Sequence, residues 1–227
     1  MTDDRMSGLA LIAGSFGFII TMSLHPSGRD LFVPGQLEPL AQLAVATHAL
    51  ALASLPVLFL GAFGLSQRLA AAGRLAMAAL VMYAFAVVAA MNAAAVSGLV
   101  APTLVREVLA ASPSSSEAWR IAFDYNGFLN HAFALIFVVA SSVAIVLWSI
   151  AILRGATLAR GVGTYGCILG PITLIAVLSG HLKLDVHGFG VVVFGQALWF
   201  IIVGALLCRV RATEYPSSHV PTQMDHT

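Results

Sequence analysis

Histidine is the residue type in this sequence whose placement most suggests chemistry. Three histidines, His48, His131 and His187, each begin the same local pattern of histidine, small, large apolar, small and large apolar residue. Neutral imidazole is the commonest metal ligand, and three converging histidines with one open position form a typical catalytic zinc site; copper and iron also accept imidazole. The pattern predicts a transition-metal site made by these three residues, with His25 and His181 as further candidate ligands.

Polar residues near the histidines could support such a site. Asp124, Asn130 and Asp185 could each accept a hydrogen bond from a ligating imidazole and so fix its tautomer. A second interpretation uses only His48 and His131, which could ligate the iron of a b-type haem from either side, because this haem needs no cysteine motif. The sequence leaves zinc, copper, iron and haem open, and it indicates no catalytic residue.

The elements that carry these residues follow from composition. Of the 227 residues, 59% are apolar and 9% are charged, whereas soluble domains carry roughly 25% charged residues. Six continuous apolar runs could each cross about 30 Å of hydrocarbon as a helix, and their lack of alternation excludes a β-barrel. The runs are 8–24, 40–65, 75–100, 126–153, 162–179 and 189–207. We expect an all-α integral membrane protein with one domain over 1–211 and a disordered tail over 212–227.

The six helices are expected to form three hairpins. Each even-numbered helix is also expected to end at an arginine, namely Arg68, Arg154 and Arg209, which follow the patterned histidines by 20, 23 and 22 residues. At helical rise these spacings correspond to roughly 30 to 35 Å, so the three imidazoles should lie at one height in the membrane. Hairpins repeated about an axis along the membrane normal, a pseudo-threefold arrangement, would explain the pattern.

The basic residues predict the orientation. If the N-terminus is cytoplasmic, seven lysine and arginine residues fall on that side and four on the other. The positive-inside rule therefore favours a multi-pass protein of the bacterial inner membrane with both termini in the cytoplasm and the histidines toward the periplasm. The overall charge, 11 basic against 10 acidic residues, is too even to suggest a nucleic-acid partner. The longest connection, 101–117, lies on the periplasmic side, and the fourth helix is expected to begin near Glu117.

Three classes of function are compatible with these features. The leading hypothesis is a membrane redox protein or metalloenzyme with its metal or haem site near the periplasmic face. A small-solute transporter is the first alternative, because Pro56 and Pro171 could break their helices and line a solute site. The second is a non-catalytic subunit that pairs with itself or with a membrane complex through its small-residue faces.

Overall fold

Helices make up the architecture of this chain. The computed structural model describes residues 3–26, 30–33, 35–155 and 158–209. Within these ranges, six helices are long and apolar enough to cross a membrane, which confirms the predicted all-α polytopic membrane fold. They are α1 (Asp3–Leu24), α2 (Leu37–Arg68), α3 (Arg74–Ala110), α4 (Ser116–Gly155), α5 (Arg160–Leu178) and α6 (Val186–Arg209). The predicted tail, 212–227, lies outside the described residues.

Several helices are longer than their apolar runs. The 40 residues of α4 correspond to about 60 Å at helical rise, roughly twice the thickness of the hydrocarbon. The connection expected over 101–117 is shorter than predicted, because α3 continues to Ala110. This last part of α3 is amphipathic: Val105 is buried beside Leu31 and Ala41, and Arg106 forms an ion pair of 3.1 Å with Glu38.

The helices run up and down in chain order, and α1 lies between α2 and α6. A Cβ atom added at Gly14 would stand 2.8 Å from Cβ of Leu58, and one at Gly204 would stand 2.6 Å from the carbonyl oxygen of Gly8. Both distances are too short for real contacts, so the glycines allow the backbones to approach closely. The third hairpin is packed differently from the first two, since α6 packs mainly on α1 and α5 mainly on α4.

The bundle has two distinct ends. At the end we call the histidine end, α1, α3 and α5 finish and α2, α4 and α6 begin; at the terminal end, α1 begins and α6 finishes. Tyr83, Trp148, Trp199 and Phe200 fill the half nearer the terminal end, with neighbouring ring centres 5.1 to 6.1 Å apart. We call these four residues the aromatic layer. They make that half a packed core, so space for a ligand lies toward the histidine end.

The two helix-interior prolines do not line that space. Pro56 lies within α2 and Pro171 within α5, and both helices continue through the proline. Both side chains are exposed on the surface of the bundle. The transporter alternative depends on these two prolines, and both therefore face away from the bundle interior.

Candidate functional site

His25 and His48 lie side by side at the histidine end. His25 immediately follows α1, and His48 lies eleven residues after the first residue of α2. The centres of the two imidazole rings are 4.6 Å apart, and their planes are inclined at 66°. The Thr21 hydroxyl joins the two helices just below them by donating to the carbonyl oxygen of Thr47 at 3.2 Å. The close packing of α1 on α2 thus places these imidazoles together.

Backbone carbonyl groups fix the tautomer of both imidazoles. Nδ1 of His48 lies 2.6 Å from the carbonyl oxygen of Ala44, and Nδ1 of His25 lies 2.8 Å from that of Pro26. A carbonyl oxygen only accepts, so in each ring Nδ1 carries the hydrogen and Nε2 of the neutral ring keeps its lone pair. Metal-ligating histidines usually donate their other ring hydrogen in this way. Burial also lowers the pKa of His25, which favours the neutral ring.

A π-helical segment in α3, Val96–Val100, makes room for His48. A Cβ atom at Gly98, within this segment, would stand 2.7 Å from Nδ1 of His48 and still closer to its Cβ and Cγ atoms. Asn126 of α4 donates from Nδ2 to the carbonyl oxygen of Val96 at 3.1 Å, which supports the altered turn. Single π turns inside α-helices are often found at functional sites. Sequence reasoning missed this arrangement, because a π turn has no residue pattern of its own.

The two imidazoles border a cavity of about 100 Å³ between α1, α2, α3, α4 and α6. Since roughly 10–15 Å³ of cavity volume is enough for one water molecule, a cavity of this size admits several water molecules or a ligand of a few non-hydrogen atoms. Alanine, phenylalanine and methionine side chains form most of the wall. The polar lining residues are Thr21, His25, His48, Ser97, Asn130 and Asp185. A small, mostly apolar cavity with a few polar groups is typical of a ligand site.

Two of the three residues predicted to orient the imidazoles border this cavity. Asn130 lines it from α4, and Asp185 lines it from the start of α6, where its Oδ1 accepts a hydrogen bond of 2.9 Å from the amide of Gly188. The tautomers of His25 and His48 are nevertheless set by backbone carbonyls, as described above. Asp124 is exposed and lines a separate groove beside Arg120.

The other three candidate histidines lie elsewhere. His131 is exposed and lines a neighbouring cavity with Lys183, His181 is exposed with Nδ1 2.8 Å from the hydroxyl of Ser179, and His187 is exposed. Among the residues that the structure describes, no three histidine, cysteine, aspartate or glutamate side chains are grouped to hold a metal ion. The geometry therefore gives no support to the set of His48, His131 and His187 or to a haem between His48 and His131.

The arrangement thus offers two adjacent imidazole rings at the side of a small cavity, and Nδ1 of each ring donates to a backbone carbonyl. Such a pair can bind a metal ion or accept hydrogen bonds from a polar ligand. No family model matches this sequence, and no curated protein or solved structure matches it significantly. What can be said about function therefore comes from the residues of this chain.

Proposed function

We propose that the protein is a membrane metalloprotein in which His25 and His48 bind one transition-metal ion beside the cavity. The observation that carries this proposal is the pair of adjacent imidazoles, each with Nδ1 committed to a backbone carbonyl. Neither ring then needs to change its tautomer to bind an ion through Nε2. Imidazole suits zinc, copper, iron and nickel, so the proposal names the class of metal and not one element.

The distance between the rings favours ligands that are neighbours around one ion. With metal–nitrogen bonds of about 2 Å, two ring centres would be about 4.5 Å apart for ligands at a right angle, about 5 Å at a tetrahedral angle and about 6 Å for ligands on opposite sides. The observed separation of 4.6 Å corresponds to the first two cases. Axial ligation of haem requires the third, so this pair does not suit haem.

Two protein ligands would leave the remaining coordination positions open to the cavity. A metal site with open positions is typical of catalysis or of transfer, whereas structural sites are closed by four protein ligands. The cavity volume of about 100 Å³ limits the additional ligands to water or another small molecule. This is the basis for proposing a redox protein or metalloenzyme over a structural site.

Metal content of the full-length protein tests the proposal. The protein should be purified through a tag without histidine, in detergent and without chelators, and analysed by inductively coupled plasma mass spectrometry. We expect close to one zinc, copper, iron or nickel ion per chain. His25→Ala and His48→Ala should each lose the ion, because one remaining imidazole cannot hold it.

His131→Ala and His187→Ala are the matched controls, since both residues are exposed histidines at the same end of the bundle. Both variants should keep the ion. Three results would each contradict the proposal. One is loss of metal from the controls while His25→Ala retains it. The others are a wild-type protein without stoichiometric metal after addition of each ion, and a Soret band from haem.

We further propose that the histidine end faces the periplasm of a bacterial inner membrane. The excess of basic residues on the other side supports this orientation. A single cysteine at Ser114, in the exposed connection between α3 and α4, tests it after Cys167 and Cys208 are replaced by serine. A membrane-impermeant maleimide should label this cysteine in intact spheroplasts; labelling only after lysis would reverse the orientation.

A further inference from the structure

We infer that a second polar site, which holds one water molecule, lies deeper in the bundle beside Ser15. The inference concerns a cavity separate from that of His25 and His48, and it does not depend on metal binding. Its volume is about 20 Å³, and Ser15, Tyr83 and Gln196 supply its polar lining. A cavity volume of roughly 10–15 Å³ is enough to hold one water molecule, so this cavity is large enough for a single molecule.

The hydroxyl of Ser15 is the main reason to place water there. Several buried hydroxyl groups in these helices donate to a carbonyl oxygen one turn earlier; they belong to Ser54, Ser66 and Ser141. Ser15 is 0% exposed, and its Oγ has no hydrogen-bond partner among the described residues. A buried hydroxyl without a partner is costly, so a water molecule in the adjoining cavity would relieve an unfavourable state.

Gln196 of α6 supplies a second polar group to the lining of the cavity. Its side chain is 4% exposed, and Nε2 donates to the hydroxyl of Ser142 at 3.2 Å. This hydrogen bond holds the Gln196 amide near the cavity, where the amide can also form a hydrogen bond with a water molecule. A buried water molecule typically makes two to four hydrogen bonds, and Ser15, Gln196 and Tyr83 together can provide that number.

Phe18 separates the deeper cavity from the cavity of the histidine pair, because its side chain lines both. It is stacked on Phe137 with ring centres 6.5 Å apart, and Phe137 in turn contacts Phe189. Toward the terminal end the deeper cavity meets Tyr83 and Phe200 of the aromatic layer. Movement of the Phe18 ring would therefore connect the two cavities and allow water to exchange between them.

Radiolytic hydroxyl-radical footprinting of the full-length protein tests the site, because radicals made from bound water oxidise the nearest side chains. We expect oxidation of Tyr83, which lines the cavity, and little oxidation of Trp148, which is intrinsically more reactive but does not line the cavity. Ser15→Ala should lower the oxidation of Tyr83 several-fold. Ser149→Ala is the matched control, since Ser149 is also buried and without a partner, and it should leave Tyr83 unchanged.

Thermal unfolding gives a second readout. If water satisfies Ser15, Ser15→Ala should leave the melting temperature unchanged or lower it. If the cavity is dry, the same variant removes an unsatisfied hydroxyl and should raise the melting temperature. The inference would be overturned by a raised melting temperature of Ser15→Ala. It would also be overturned if Tyr83 were not oxidised in the wild type, or were oxidised equally in Ser15→Ala and the wild type. Metal content does not enter any of these outcomes, so failure here leaves the proposed metal site untouched.

Discussion

Gly98→Ala is the substitution that most directly tests how His48 is held. The new methyl group would stand 2.7 Å from Nδ1 of His48, whereas an ordinary contact needs about 3.4 Å or more. The ring must move by about 0.7 Å or more, or α3 must move away by a similar distance. Metal sites tolerate deviations of about 0.2 Å in ligand distance, so the displacement is several times too large for unchanged coordination.

The expected magnitude follows from two independent considerations. Inserting a methyl group into a packed interior costs about 1–3 kcal/mol. Disturbing the group that orients a ligating imidazole lowers metal affinity about 10–100-fold, which corresponds to about 1.4–2.7 kcal/mol. The two ranges agree, and the hydrogen bond of 2.6 Å between His48 and Ala44 lies directly at the point of contact. We therefore expect Gly98→Ala to weaken zinc or copper binding about 10–100-fold.

Gly127→Ala is the control for this experiment. Gly127 also lies within a helix, and a Cβ atom there would meet no heavy atom within 4 Å. Both substitutions gain about 1 kcal/mol of helix propensity, so the difference between the two variants isolates the contact with His48. Metal affinity should be measured by isothermal titration calorimetry in detergent, and unfolding by tryptophan fluorescence. Wild-type affinity in Gly98→Ala would refute the reasoning that the π-helical segment positions His48 as a ligand.

Three further predictions follow from contacts described above. Thr21→Val removes the hydroxyl that donates to Thr47, and it should lower the free energy of unfolding by about 0.6 kcal/mol, measured by thermal denaturation in detergent. Asp4→Asn breaks an ion pair of 3.4 Å with Arg68 whose side chains are partly exposed, so it should cost at most about 1 kcal/mol in the same assay. Because burial lowers the pKa of His25, the contribution of its neutral ring to stability should be complete above pH of about 6.5 and decline as the pH falls below that value. Metal binding measured against pH should likewise weaken only as the pH falls below about 6.5; loss that begins well above 6.5 would contradict the lowered pKa.

The sequence predicted the helices better than the directions in which their residues face. Apolar length was enough to predict the six membrane-spanning helices. The helices are apolar around most of their circumference, so no polar stripe indicates which side faces the interior. Asn130 and His131 illustrate the consequence: they are adjacent in sequence, about 100° apart around α4, and line different cavities. The partner of His48 is His25, which lacks the repeated pattern and was only an additional candidate.

The interior packing of the bundle was also beyond the reach of sequence reasoning. Glycine is common in membrane helices, so the sequence does not distinguish Gly14 from Gly98. Only the packing shows that the backbone of α2 lies close to Gly14 and that the imidazole of His48 lies against Gly98. The predicted hairpins indicate which consecutive helices are neighbours, but α1 also packs against α6, which is far from it in sequence. Such a contact depends on how all six helices fit together and has no local signal.

The position of α1 between α2 and α6 has a consequence for biogenesis. During synthesis α1 enters the membrane with one flank still uncovered, because α6, which covers that flank, is synthesised after the other five helices described above. Ser15, Phe18 and His25 all belong to α1 or follow it directly, and residues of α6 line both cavities, so both walls are complete only after α6 has been synthesised. A nascent chain stopped after α5 would have His25, His48 and His131 in place, yet its first helix would remain open to lipid on the side that α6 covers.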